Sequence, residues 1–334
     1  MTLPRLARGA GPSALLALAL AAACTAGPAA VTPDEEMAWP TENPRVRLDR
    51  VLSLRELPRG TAGRMLGWLT GERRASGLGR PHGVAWAGDD LVITDPPTGT
   101  VLLLGAGGRP LAVNRGAFTS PIGVAVCPAG VVVTDSREGR VGLLDDELRL
   151  VGWLAEELDR PTGVACSGAA VYVAETGRHR IVILEPDGSR RTFGGRGSEP
   201  GQLNFPTVVA LADGSLWVGD TLNFRIQELD AEDGAVRGVF GRLGDAPGDL
   251  PRIKGIALDA RGRLWVSDAH LDRVALFEPD GTFLMDLGAR GDRPGELSFP
   301  AGIAARPDGR VAVVDALNRR LQIFELLPGN RPGS

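Results

Sequence analysis

One sequence pattern occurs six times along this chain and constrains its fold more than any other feature. Each copy contains a segment close to Pro-x-Gly-Val/Ile-Ala, followed by an apolar triplet that ends at an acidic residue. The acidic residues are 40 to 48 residues apart and are Asp95, Asp135, Glu175, Asp220, Asp268 and Asp315. A repeat of about 40–50 residues made of short strands predicts a β-propeller with one blade per copy. We therefore expect an all-β fold of six blades, each a four-stranded antiparallel sheet.

The two ends of the repeat region predict how the ring closes. The last copy stops after its third strand, whereas residues 46–57 (VRLDRVLSLREL) have strand character and precede the first copy. An N-terminal strand that completes the last blade would leave no open sheet edge. The sequence thus predicts a propeller over residues 45–327 and a short tail over 328–334. Residues 64–70 are expected to form a connector, as a short helix.

The first residues predict export and a lipid anchor. Arg5 and Arg8 precede an apolar run over residues 13–23 that is too short to span a bilayer comfortably, as in a signal peptide. Residues 21–24 (AAAC) resemble the bacterial lipobox, which would make Cys24 the lipidated residue and place the protein in the cell envelope. The resemblance favours an outer-membrane lipoprotein facing the periplasm or the cell surface. The alternative is an ordinary cleavage site beside an incidental cysteine. Residues 24–44 are expected to be a flexible tether.

The net charge of the chain limits the classes of partner that it is expected to bind. Without residues 1–23 the chain has a net charge of −6, which disfavours nucleic acid because phosphate binding draws on basic residues. We expect a monomer that contacts the membrane only through its lipid and binds an envelope protein or a small ligand.

Two segments carry a family resemblance. Residues 220–229 (DTLNFRIQEL) and 315–324 (DALNRRLQIF) resemble the signature of the NHL-repeat family. With the lipobox, the chain is similar to a bacterial NHL-repeat lipoprotein, and the resemblance implies a six-bladed propeller. The signature is weaker in the first copy, where Thr100 stands in place of the usual Arg.

Five of the six copies pair the acidic residue with an Arg five positions later, at the turn between the second and third strands. Because a functional site is usually built once, a pair in five blades indicates a structural device. The acid can accept N–H bonds from a turn, and the Arg can bond the acid across the hairpin. The pairs are Asp135/Arg140, Glu175/Arg180, Asp220/Arg225, Asp268/Arg273 and Asp315/Arg320.

The residue after the Pro position of each copy is expected at the mouth of the central channel. These six residues differ in chemistry, and Lys254 is the only lysine of the chain. We take four of them as candidate ligand-binding residues, the alternative being a solvated rim with no function. The six are His82, Ile122, Thr162, Thr207, Lys254 and Ala301, and the four candidates are His82, Thr162, Thr207 and Lys254.

Two kinds of propeller enzyme show which residues at the channel mouth would bind a metal ion. The peptidylglycine amidating lyase, which this chain resembles in fold, holds zinc with three histidines on alternate blades, where this chain has His82, Thr162 and Lys254. One histidine and a cationic lysine do not make a zinc site. In gluconolactonase-like propellers acidic and Asn side chains hold a divalent cation, but the inner-strand positions here do not indicate a calcium site. We therefore expect no metal, no cofactor and no catalytic residue. The leading hypothesis is a non-catalytic binding scaffold, and the alternative is a metal-dependent lyase or lactonase-like hydrolase at the channel mouth.

Cys127 and Cys166 end the inner strands of adjacent blades. Their positions relative to the strand start differ by one residue, so their side chains leave opposite faces of equivalent strands. Facing side chains in an oxidising compartment would form a disulfide. The alternative is two buried free thiols.

Overall fold

The computed structural model describes residues 37–40, 45–57 and 77–327. It confirms a six-bladed propeller of four-stranded antiparallel sheets, whose strands are called a to d from the channel outwards. Blade one has Val84–Ala87, Asp90–Asp95, Thr100–Leu104 and Pro110–Arg115; blade two has Pro121–Cys127, Gly130–Asp135, Arg140–Leu144 and Leu150–Ala155; blade three has Pro161–Ser167, Ala170–Glu175, Arg180–Leu184 and Arg190–Gly194.

The second half of the ring repeats this order. Blade four has Pro206–Ala212, Ser215–Asp220, Arg225–Asp230 and Val236–Phe240; blade five has Ile253–Leu258, Leu264–Asp268, Arg273–Phe277 and Phe283–Leu287; blade six has Pro300–Ala305, Arg310–Asp315 and Arg320–Leu326. Short 3₁₀ helices over Pro96–Thr98, Thr176–Arg178 and Thr221–Asn223 form the b–c turns of blades one, three and four.

Blade six is completed from the N-terminal side, which confirms the predicted closure. Val46–Ser53 pairs antiparallel with Arg320–Leu326 as strand d, and Ala38–Trp39 adds a fifth strand outside it. The Trp39 ring packs edge-on against Phe324 with ring centroids 5.7 Å apart. The described residues 37–40 thus pack against blade six, although they lie within the segment predicted as a tether over residues 24–44. Strand d ends at Ser53, earlier than the predicted residue 57.

The core consists of apolar clusters between neighbouring blades. One cluster joins Leu91 and Ile93 of blade one to Ala312 and Leu321 of blade six, and similar clusters fill the other five blade junctions. Strand b is buried on both faces because sheets pack against it from both sides. This double burial explains why each copy carries an apolar triplet where a half-exposed strand would alternate.

The acidic residue at the end of each strand b is fully buried and anchors the loop that leads into its own blade. Asp95 accepts the N–H groups of Gly79 and Arg80 at 2.8 and 2.7 Å, and Asp315 accepts that of Ser298 at 2.7 Å. The ion pair with the following Arg forms in blades two, three, four and six. We call these acid–arginine units the corners of the blades, and their structural interpretation is confirmed.

Blade five departs from the predicted pairing. Arg273 does not bond Asp268; it donates to the Asp286 carboxylate at 2.7 Å and to the carbonyls of Ala246 and Asp249. Asp286 lies on strand d beside strand c and offers Arg273 a second carboxylate, which explains the exchange. Burial raises the pKa of Asp286, and the charge of Arg273 opposes this shift.

The structure places Cys127 and Cys166 in a disulfide, with a Cα–Cα distance of 5.9 Å that is ordinary for such a bridge. The bridge joins the channel strands of blades two and three at the ends remote from the Pro positions.

The predicted signal peptide, Cys24, the connector over residues 64–70 and the tail over 328–334 lie outside the described residues. In the described part of the chain, no helix is both long and apolar enough to cross a membrane.

Candidate functional site

The central channel opens into a cavity at the face that carries the strand a starts and the b–c turns. Its volume is about 130 Å³. The lining includes His82, Ile122, Thr207 and Lys254, together with backbone of all six inner strands. None of the lining residues is acidic. Four of the six predicted mouth positions therefore meet at one cavity.

The other two predicted positions have structural surroundings. Ala301 is fully buried. Thr162 does not line the cavity; its hydroxyl lies 2.7 Å from the Thr176 hydroxyl and donates to the Thr207 carbonyl at 2.9 Å. Thr207 lines the cavity, but its hydroxyl is engaged with Thr221 at 2.6 Å. Of the four candidate ligand-binding residues, only His82 and Lys254 present side chains that these hydrogen bonds leave open to a ligand.

The inner strands crowd the channel so closely that side chains are excluded beside the mouth positions. A Cβ atom at Gly123 would lie 2.1 Å from the Thr162 carbonyl oxygen, and one at Gly302 would lie 2.5 Å from that of His82. The Gly302 N–H donates to this His82 oxygen at 2.7 Å, which joins blade six to blade one. These glycines thus have a structural role, because they allow the inner strands to approach closely beside His82 and Lys254.

His82 is neutral at physiological pH. Burial, and after it the charge of Lys254, lowers the pKa of His82 to about 4, while a hydrogen bond to the Ile122 backbone opposes the shift. Burial also lowers the pKa of Lys254, and the charges of Arg252 and Arg80 lower it further. The amino group of Lys254 therefore sits among like charges in a partly dry channel.

Two arginines complete the positive charge at this side of the mouth. The guanidinium carbons of Arg80 and Arg252 lie 4.4 and 5.6 Å from the centre of the Phe299 ring. Both arginines are exposed, and each immediately precedes the first residue of its channel segment. We call Arg80, Arg252 and Lys254 the mouth cluster.

No carboxylate of the described residues forms a salt bridge or side-chain hydrogen bond with the mouth cluster, although the chain as a whole is acidic. The Asp95 and Asp268 carboxylates accept the backbone N–H groups of Arg80 and Arg252, respectively, and do not bond the guanidinium groups of these arginines. The acidic residues that end strand b of blades one and five thus hold the backbone of the mouth without bonding its guanidinium groups.

The two arginines of the mouth cluster were not among the sequence candidates. The signal that could have revealed them is the residue before the Pro position, which is Arg in blades one, three and five and Phe in blades four and six. Arg160 of blade three lies on the far side of the mouth, with its guanidinium carbon 5.7 Å from the centre of the Phe205 ring. Only folding shows that Arg80 and Arg252 converge on one phenylalanine.

The remaining histidines do not reach the cavity lining. His179 accepts the Phe205 N–H at its Nδ1 at 3.1 Å and packs edge-on against that ring, with centroids 4.5 Å apart. His270 belongs to the b–c turn of blade five. Within residues 37–40, 45–57 and 77–327, no group of three or more His, Cys, Asp or Glu side chains could hold a metal ion.

Comparisons with known proteins agree on the fold. No family model and no curated protein matches the sequence. A gluconolactonase from Xanthomonas campestris matches with a TM-score of 0.60 and 19% identity, over 89% of this chain and 100% of that one. Virginiamycin B lyase from Staphylococcus aureus matches with a TM-score of 0.55 and 14% identity, over 74% and 95%. A chain of a nidogen–laminin complex matches with a TM-score of 0.54 and 18% identity, over 62% and 79%.

At these identities the likeness concerns the fold alone, which is that of the six-bladed propellers. No matching family model supports the resemblance to the NHL-repeat family. The named neighbours include a lactonase and a lyase, so they do not support the expectation of a non-catalytic scaffold.

Proposed function

We propose that this protein binds a small anionic molecule at the mouth of its central channel. The observation that carries this proposal is the mouth cluster, in which Lys254 lines the cavity and Arg80 and Arg252 lie at one side of its opening without a carboxylate partner among the described residues. These like charges repel one another, and a bound anion relieves that repulsion.

The shape of the site favours a small ligand. The cavity has a volume of about 130 Å³, below the usual range of about 300–1,000 Å³ for pockets that hold drug-sized molecules, so it admits only a few ligand atoms. The two guanidinium groups at the rim offer forked donors suited to a carboxylate or phosphate, and Lys254 offers a point charge deeper in. Glycine backbone and the Val84, Val124 and Ile256 side chains supply the apolar part of the wall.

Calorimetric titration at low ionic strength tests the proposal, with citrate, glucuronate and inorganic phosphate as probes and glucose as the neutral control. We expect a carboxylate or phosphate probe to bind and glucose not to bind. Removing both rim charges in Arg80→Gln/Arg252→Gln should weaken binding by about tenfold or more, because each charge-assisted hydrogen bond contributes about 1.5–3 kcal/mol.

The matched control is Arg109→Gln, which removes an exposed arginine from the c–d turn of blade one, at the opposite face of the ring. This variant should bind like the unaltered protein. Binding of none of the anions, or equal binding by the double variant, would rule out the mouth as an anion site.

The cellular setting remains part of the proposal. Export through residues 1–23, lipidation at Cys24, membership of the NHL-repeat lipoproteins and residence in the cell envelope rest on the sequence patterns alone. Cys24→Ser should release the protein from membranes to the soluble fraction, which fractionation of the producing cells would measure. Membrane retention of this variant would contradict the lipid anchor. The metal-dependent alternative has only the likeness of fold to enzyme neighbours in its favour.

A further inference from the structure

Lys254 is the only lysine among the Lys and Arg residues of the chain. The sequence contains 37 Lys and Arg residues, and 36 of them are Arg. Many of the described arginines form ion pairs in corners, turns and at the surface, tasks that suit a planar guanidinium fork, and Arg80 and Arg252 lie at the mouth. The single amine occurs in the channel cavity, where an arginine would keep the charge but would lack a nucleophile.

The surroundings of Lys254 increase the unprotonated fraction of its amine, because burial lowers its pKa. Its side chain is partly buried, and no hydrogen bond or salt bridge engages Nζ among the described residues. The titratable and charged groups that face it are His82, which is neutral, and Arg80 and Arg252, which are positive. Since no carboxylate lines the cavity, nothing there stabilises the ammonium form.

We propose that Lys254 forms a Schiff base with a ligand that carries both an aldehyde or keto group and an anionic group. The inference rests on the anion site proposed above, because Arg80 and Arg252 would hold the anionic group while the carbonyl carbon meets Nζ. The ligand class is thus an oxo acid or a phosphorylated carbonyl compound.

The step balances without any further reactant. The lone pair of the neutral amine attacks the carbonyl carbon, and the resulting carbinolamine loses the former carbonyl oxygen as water with both amine protons. A carbon–nitrogen double bond remains, and no electrons are transferred. The neutral His82 imidazole lines the same cavity and provides a group that can accept and return a proton.

Reductive trapping tests this inference directly. The mature protein is incubated with glyoxylate and cyanoborohydride at neutral pH, and the adduct is located by intact mass and peptide mapping. The matched control is Lys254→Arg/Arg109→Lys, which keeps one lysine per chain and the same net charge but moves the amine to the opposite face. Thermal unfolding checks that both proteins are folded. Peptide mapping distinguishes reaction at the lysine from reaction at the N-terminal amine.

We expect trapping at Lys254 to be severalfold faster than at the relocated lysine, because its lowered pKa leaves more free amine and Arg80 and Arg252 hold the carboxylate beside it. Glyoxylate should also outpace the uncharged acetaldehyde at Lys254. Trapping no faster than in the control would overturn the inference, even if calorimetry shows that anions bind. Equal rates with the two aldehydes, together with no heat of anion binding, would overturn the anion site and leave the reactive amine standing.

Discussion

The arginines in the corners of the blades are paired with carboxylates of the described residues, whereas those at the mouth of the channel are not. In the corner of blade six, the Arg320 side chain donates to the Asp315 carboxylate at 2.6 Å and to the carbonyls of Asp292, Arg293 and Glu296. At the mouth, Arg80 and Arg252 lie over the Phe299 ring with no carboxylate partner among the described residues.

This difference separates charge that maintains the fold from charge that is available to a ligand. A buried pair satisfies its own bonding, so its loss costs stability and gains nothing for recognition. A partnerless cluster contributes little to stability and has free bonding capacity. The same repeat unit produces both, because in blades one and five the acid that ends strand b holds the backbone of the arginine whose side chain reaches the mouth.

The largest effect is expected at a corner. Arg320→Gln should lower the free energy of unfolding by about 3–5 kcal/mol, because it leaves the buried Asp315 carboxylate without its cation. Urea unfolding measures the change. A loss below about 1 kcal/mol would mean that the corners are not what maintains the fold.

The disulfide provides a reference for the stability effect of the corners, because it links two blades without any charge. Replacing both cysteines, as in Cys127→Ala/Cys166→Ala, should cost roughly 4 kcal/mol in the chain-entropy account of a bridge spanning 39 residues. Reductant should lower the unfolding midpoint of the unaltered protein and leave that of the double variant unchanged. An unchanged midpoint in both would indicate free thiols.

The burial of His82 should make the free energy of unfolding depend on pH in the acid range. Its pKa falls from about 6.5 to about 4 on folding, so the folded state takes up a proton less readily than the unfolded chain between these values. Stability is full above about pH 6.5, declines as the pH falls, and levels off below about pH 4, for a total of about 3 kcal/mol. The difference in stability between the unaltered protein and His82→Gln, measured by urea unfolding at several pH values, should follow this curve. A difference that is constant with pH would contradict the buried, neutral histidine.

The smallest stability effect is expected at the rim of the mouth. Arg252→Gln should change the free energy of unfolding by no more than about 0.5 kcal/mol, as is usual for an exposed side chain without a partner. A loss of several kcal/mol would show that Arg252 has a structural role, and would remove the contrast with Arg320.

The sequence was sufficient to predict the blades, the closing strand and four of the five acid–arginine pairs, because all of these follow from the repeat and its local geometry. It also identified His82 and Lys254 as mouth residues, since their position follows from the start of strand a. The Arg273–Asp286 pair could not be predicted, because it depends on a strand d residue that has no counterpart in the repeat.

The mouth cluster required the folded ring. Arg80 and Arg252 are 172 positions apart in the chain, and only the circular arrangement brings both onto the ring of Phe299. Thr162 shows the reverse case: its place in the repeat suggested the rim, but its hydroxyl is used to join blade three to blade four.

The most direct test measures stability and anion binding together for Arg252→Gln and Arg320→Gln, by urea unfolding and by calorimetric titration with the tightest-binding anion. The account predicts that Arg252→Gln loses most of the binding and keeps its stability, whereas Arg320→Gln loses stability and, while folded, binds as before. If Arg252→Gln binds the anion as well as the unaltered protein does, the mouth cluster is not a ligand site and the central claim is contradicted.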